Sequence, residues 1–218
     1  MNKRHFLTLS GQLATLGGAA AMGLLGSNVA SAQSAPRGYV PIDPPVPTRD
    51  PETVEVLEFF WFGCPHCYAF EPEINAWKAD KPDYVSFVRE APPLNPSWEG
   101  HSRSFYTAEA LGVTDQFFDP MFNAIHQERR PLRDPKKIAA FAGELGIDEK
   151  RFLKTMNSFS VDSAMRRGTQ IAQQSRITGV PSLLINGRYM TGGQIAGAEG
   201  IINVINRLVE EERKRMIG

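Results

Sequence analysis

The chain contains two cysteines, and they stand two residues apart in Cys64-Pro65-His66-Cys67. That spacing suits a reversible disulfide across the first turn of a helix. The thiolate, not the thiol, is the nucleophile in such exchange. A helix N-terminus offers unpaired N–H groups and a partial positive charge. Cys64 placed there should titrate below the roughly 8.5 of a free cysteine. His66 can add positive charge or a donor beside the sulfur, and Cys67, a turn deeper, is positioned to resolve a mixed disulfide. Blander readings of the pair are weaker. A zinc half-site lacks a second cysteine pair, and His5, His66, His101 and His126 show no ligand spacing, so no metal is expected. A static structural disulfide across so few residues would add little stability. Two inert buried thiols are the remaining alternative.

The elements around the pair must hold it in this geometry. Residues 54–62 are β-branched and aromatic, short, and bounded by Gly63, which is the pattern of a buried strand. Pro65 fits the first turn of a helix, where its missing N–H has no partner anyway. Phe70, Ile74 and Trp77 then recur at helical spacing, with Pro72 inside the helix. Residues 84–90 alternate as a second strand. From residue 97 to about 175 the pattern is helical: Phe117, Met121 and Ile125 recur every four residues, Asp134-Pro135 reads as cap and first turn, and Asp148 opens a further helix. His101 and His126 fall in this stretch and read as surface or capping residues. The run Gln127-Glu128-Arg129-Arg130 reads as a solvated face.

Residues 180–186 form a third apolar strand, Asn186-Gly187 is a hairpin turn signal, and residues 188–191 pair back. A closing helix over 198–216 puts Ile201, Ile202, Ile205, Leu208 and Val209 inward and leaves 210–215 as a solvated end. A strand running into a helix at a Cys-x-x-Cys is a thioredoxin-like redox signature. The order strand, helix, strand, hairpin, helix predicts an α/β thioredoxin fold with an inserted all-helical subdomain.

The residues from Phe59 to Tyr68, with their Cys-Pro-His-Cys-Tyr, resemble the DsbA-type thiol:disulfide oxidoreductases of the bacterial periplasm. Gly179-Val180-Pro181-Ser182-Leu183 is similar to that family's cis-proline loop and following strand. The resemblance spans roughly residue 54 to the C-terminus. It implies a dithiol oxidase that introduces disulfides into newly exported, still unfolded proteins with free cysteines. Cys64 and Cys67 would be its redox-active disulfide, with no bound cofactor. It implies a cis Pro181 that leaves the Val180 backbone free to pair with substrate, and a groove formed by Phe62, Pro65, His66, Val180 and Pro181. It also implies that Glu58, a carboxyl in an apolar strand, is a buried acid that shuttles protons to Cys67; the plainer reading of Glu58 is a solvent-facing edge position. A DsbB-like membrane quinone reductase would reoxidise a monomeric enzyme. An isomerase of the DsbC type is a rival, but it carries an N-terminal dimerisation domain, and residues 33–52 are too short for one. A metal-binding or chaperone module using the thiols as ligands is another.

The first 32 residues read as a secretory signal: Lys3 and Arg4, an apolar stretch to Leu25, and Ala30-Ser31-Ala32 before the cleavage point. Lys3-Arg4-His5-Phe6-Leu7 is similar to a twin-arginine signal with Lys for the first Arg; Sec-type export to the periplasm is the expectation. An exported chain sits where disulfides persist. The whole sequence of 218 residues balances 24 basic against 24 acidic side chains, and losing Lys3 and Arg4 leaves 22 against 24, a charge of −2. No basic excess points to nucleic acid. The domains expected are a Pro-rich lead-in over 33–52, the fold's first part over 53–96, a helical insertion over 97–176 and the fold's second part over 177–218.

Overall fold

The computed structural model describes residues 38–218; the signal-like segment 1–32 and its cleavage point lie outside them. Five strands, β1 (Val40–Pro41), β2 (Val54–Phe59), β3 (Val85–Glu90), β4 (Ser182–Ile185) and β5 (Tyr189–Gly192), form one sheet in the order β1-β5-β4-β2-β3. Strand β2 is interior, lying between β3, to which it is parallel, and β4, to which it is antiparallel, and all six of its residues are buried. The parallel pair is joined by α1 (Pro65–Asp80), as a crossover of this length requires. Because strand side chains alternate, Val54 and Val56 pack with Phe70, Ile74 and Trp77 of α1. Residues Val204, Ile205 and Leu208 of the closing helix α8 (Ile201–Ile217) join the same cluster. Leu57 and Phe59 meet Ala172 and Ile177 on the other face. Each fully buried Val, Leu, Ile or Phe among them stabilises the fold by about 1.5–3 kcal/mol.

Between β3 and β4 lie α2 (Glu99–Leu111), α3 (Thr114–His126), α4 (Pro135–Glu144), α5 (Glu149–Met156) and α6 (Phe159–Gln174). Asp134, Asp148 and Ser158 cap α4, α5 and α6 by accepting from backbone N–H groups in each first turn. The inward faces bury Phe105, Phe117, Phe122 and Phe152 in one cluster with Phe60 and Phe62, so the insertion packs directly against the residues that lead into Cys64. This is the α/β thioredoxin fold with inserted helices that the element order predicts.

Four features differ from the sequence expectations. The Pro-rich lead-in is not all loop: β1 pairs with β5, a role open to proline on an edge strand. Strand β2 ends at Phe59, and residues 60–63 form a loop. A short helix α7 (Gly193–Ala196) and a 3₁₀ turn (Gly197–Glu199) precede α8, which begins at Ile201. The end of α8 is not uniformly solvated. Glu212 is fully buried, accepting from Asn186 Nδ2 at 2.7 Å and Arg215 Nε at 2.9 Å.

Candidate active site

Cys64 is the N-cap of α1. Its φ and ψ of −86° and 116° are extended, and its carbonyl takes the first helical bond, from Tyr68 N at 3.1 Å. The sulfur therefore faces the open end of the helix. It accepts from Cys67 N at 3.2 Å, and as a thiol it donates to the Val180 carbonyl at 3.5 Å. The Cys64 N–H is anchored on the Trp61 carbonyl at 2.9 Å.

The two sulfurs are electrostatically unlike. Cys64 is lowered from 9.0 to about 6, first by the hydrogen bond from the Cys67 thiol, against a desolvation cost, then by the backbone N–H groups of Cys67 and His66 and last by the His66 charge. The Cys67 thiol, fully buried, is pushed up by desolvation and by the neighbouring Cys64. At neutral pH the pair holds one proton, on the inner sulfur. Helix N-terminus and thiol partner thus contribute more than His66, which is exposed.

The cis-proline loop lies beside this sulfur. The Val180–Pro181 bond is cis, as the resemblance implies. Val180, Pro181, His66, Phe70, Ile195 and Ile201 line a groove of about 730 Å³. Pro65 is exposed but is not among the residues lining it. Phe62 is a correction: it is only 1 % exposed, edge-on to Phe60, Phe117 and Phe122, and it cannot touch a substrate. The loop turns Phe62 away from Cys64 and into the aromatic cluster of the inserted helices, which closes over it. The α7 segment, which supplies Ile195 to the groove, carries no chemical motif that a sequence reading could single out.

Glu58 is fully buried on β2, which is paired on both sides, and this removes the solvent-facing reading. Its Oε2 accepts from Arg89 Nε at 2.7 Å, and Arg89 Nη2 reaches both Glu71 oxygens at 3.0 and 2.8 Å. The guanidinium also lies 4.1 Å from the centre of the Phe118 ring. One cation between two buried carboxyls leaves a surplus acid, and burial pushes Glu71 up to about 7. The Glu58 charge raises the Cys67 thiol further, so this carboxyl is electrically felt at the inner sulfur. Its Oε1 has no hydrogen-bond partner. Arg89 and Glu71 were not singled out by sequence, since their partnership depends on register and on α1 packing.

His101 and His126 are not surface residues. His101 is buried with Nε2 2.6 Å from the Leu132 carbonyl, and burial lowers it to about 4. His126, half-buried, reaches the Phe62 carbonyl at 2.7 Å. Trp61, beside them, stacks on Trp98 with rings 4.5 Å apart and 5° from parallel. Among the described residues no cluster of His, Cys, Asp or Glu could hold a metal ion.

A thioredoxin fold presenting a stabilised outer thiolate over a buried inner thiol, beside a cis-proline, defines a thiol:disulfide oxidoreductase. The DSBA-like thioredoxin domain family matches residues 55–208. The chain is 38 % identical over 181 residues to thiol:disulfide interchange protein DsbA of Pseudomonas aeruginosa, covering 83 % of this chain and 86 % of that one. It is 40 % identical over 178 residues to the Azotobacter vinelandii protein of the same name, covering 81 % and 83 %. The crystal structure of P. aeruginosa DsbA superposes with a TM-score of 0.77 at 36 % identity, over 83 % of this chain and 95 % of that one. The chain belongs to the DsbA-like thioredoxin domain family.

Proposed function

We propose that this oxidoreductase works in the periplasm as a dithiol oxidase, and that its substrates are newly exported proteins still unfolded and carrying free cysteines. The observation that carries the reading is the asymmetry of the two sulfurs, with Cys64 favoured as thiolate and its sulfur 3.5 Å from the carbonyl of Val180, a residue that lines the groove. A substrate thiolate attacks Cys64 of the Cys64–Cys67 disulfide, and the Cys67 sulfur leaves. A second substrate thiolate then attacks the substrate's own sulfur and expels Cys64. Two electrons pass to the enzyme and the substrate gains a disulfide. The better Cys64 is stabilised as a leaving group, the more readily the second step runs.

The departing Cys67 sulfur needs a proton, because a charge there is strongly disfavoured. Glu58 and its Arg89–Glu71 network are the proposed route, and Glu58→Gln should slow the step in which Cys67 leaves. Extended substrate would pair with the Val180 backbone while His66, Val180 and Pro181 line its path and Pro65 flanks Cys64. The redox-active disulfide is the only redox group this scheme uses. A DsbB-like membrane quinone reductase is the proposed reoxidant, and the enzyme acts as a monomer. Among the described residues no helix is long and apolar enough to cross a membrane.

The test mixes oxidised protein with a reduced two-cysteine peptide and follows peptide disulfide by mass. Wild type should oxidise it stoichiometrically and Cys64→Ser not at all, while reduced Cys67→Ser, mixed instead with the peptide in its disulfide form, should accumulate mixed disulfides through Cys64. Adducts with Cys64→Ser but none with Cys67→Ser would reverse the assignment of the nucleophile. Tight metal binding by the reduced protein without peptide oxidation would favour a metal-binding module instead.

A further inference from the structure

The loop 60–63 leads straight into the Cys-x-x-Cys. The Trp61 carbonyl holds the Cys64 N–H at 2.9 Å, and the Trp61 backbone favours the charged form of Cys67 against its burial. Trp98 stacks on Trp61 from one side of this loop, and one face of α3 holds the other. His126 Nε2 lies 2.7 Å from the Phe62 carbonyl. A carbonyl only accepts, so Nε2 carries the hydrogen. The same imidazole stacks on Tyr68, the residue after Cys67, with centroids 4.8 Å apart and planes 10° from parallel. Tyr68 is itself held: its hydroxyl donates to Asn123 Oδ1 at 2.9 Å and accepts from Gln127 Nε2 at 2.8 Å. Asn123, His126 and Gln127 occupy adjacent turns of one helix, so α3 grips the residues on both sides of the Cys-x-x-Cys at once.

We infer that His126 is a positioning residue for disulfide exchange: its Nε2–H on the Phe62 carbonyl and its stack on Tyr68 fix the loop that orients both cysteines. The inserted helices then help to set how well the outer thiolate is held. The inference rests on the exchange chemistry assigned to Cys64 and Cys67. Wild-type equilibration with glutathione, run in the same series, tests that chemistry separately from the substitutions.

The experiment compares wild type, His126→Met and His126→Gln. Methionine keeps bulk and removes the donor, whereas glutamine places an N–H at a similar reach. Three readouts are taken: the redox equilibrium of Cys64–Cys67 against glutathione, the Cys64 thiolate absorbance near 240 nm against pH, and melting of both redox forms. Losing one oriented hydrogen bond should move the glutathione equilibrium of His126→Met about 3- to 10-fold toward a less oxidising couple. Its Cys64 titration should move upward, and His126→Gln should recover most of both changes. A merely structural histidine would lower both melting curves alike and leave equilibrium and titration at their wild-type values; that result overturns the inference. If His126→Met does not fold, nitrogen NMR of the wild-type imidazole decides. A ring protonated at Nε2 and held in both redox states supports the inference, and a neutral ring protonated at Nδ1 overturns it.

Discussion

At the scale of single residues, the asymmetry between two sulfurs one helical turn apart governs the chemistry. Cys67 acts on Cys64 as a hydrogen-bond donor twice over, through its thiol and its backbone N–H, while the His66 charge contributes least. Cys67→Ala should therefore raise the Cys64 titration above about 6 by more than His66→Ala does, read from thiolate absorbance. An equal or larger rise in His66→Ala would show that the exposed imidazole, not the inner thiol, stabilises the anion. Among the described residues, the Arg89 guanidinium is the one cation bonded to both Glu58 and Glu71. Arg89→Met leaves two buried carboxyls without it and should cost about 3–5 kcal/mol of stability. Urea unfolding at pH 7 checks this. A loss below 1 kcal/mol would mean that the carboxyls are already neutral. Cys64, Cys67 and Pro181 were legible because their chemistry is written into adjacent residues. Glu58 was legible only as a carboxyl out of place among apolar neighbours. Arg89, His126 and the burial of Phe62 were not, because each depends on a partner brought from 30 or more residues away: Glu58 for Arg89, Phe62 for His126, the α3 phenylalanines for Phe62.

At the scale of elements, the strongest local signals formed the elements they announced. Asn186 and Gly187 both take positive φ, 48° and 66°, and Arg188 N closes the turn on the Ile185 carbonyl at 2.9 Å. Asp134 accepts from Lys136 N and Lys137 N at 2.9 and 3.2 Å ahead of Pro135, the arrangement expected at the start of α4. What failed was any element whose identity is decided by its neighbour. Two residues of β1 are a strand only because Tyr189 and Met190 lie opposite them. Glu212 sits among charged residues in sequence yet is buried, because Asn186 and Arg215 satisfy it. The hairpin also holds the lead-in: Val46 N donates to the Gly187 carbonyl at 2.9 Å, and a Cβ on Gly187 would collide with the Val46 carbonyl oxygen. Gly187→Ala should cost about 2 kcal/mol or more, since both the positive φ and the close approach oppose it. Its signature is faster proteolysis within residues 38–48, and unchanged stability and cleavage would mean that the lead-in is not held there.

At the scale of the whole molecule, redox state and folding stability are one equilibrium. Cys64 has its pKa depressed in the folded dithiol, from 9.0 to about 6. Its contribution is fully present above the unfolded value and is lost as pH falls through the folded one. At about 1.4 kcal/mol per unit, it is almost nothing at pH 5, on the order of 1 kcal/mol at pH 7 and on the order of 3 at pH 8. Closing the short Cys64–Cys67 loop restrains the unfolded chain by about 2 kcal/mol in the opposite sense, and that term does not vary with pH. Glu71, pushed up to about 7 by burial, retains a proton that the unfolded chain has lost. It removes stability as pH rises from about 4.5 to 7. Both redox forms carry it, so it cancels in the difference between the two. That difference is the most direct measurement of the thiolate's role: paired unfolding curves of oxidised and reduced protein at pH 5 and pH 8. The gap should move by about 2 to 3 kcal/mol in favour of the reduced form, so that the oxidised protein is the more stable at pH 5 and the reduced protein at pH 8. A gap that stays constant across this range would contradict a stabilised Cys64 thiolate as the source of the oxidising couple.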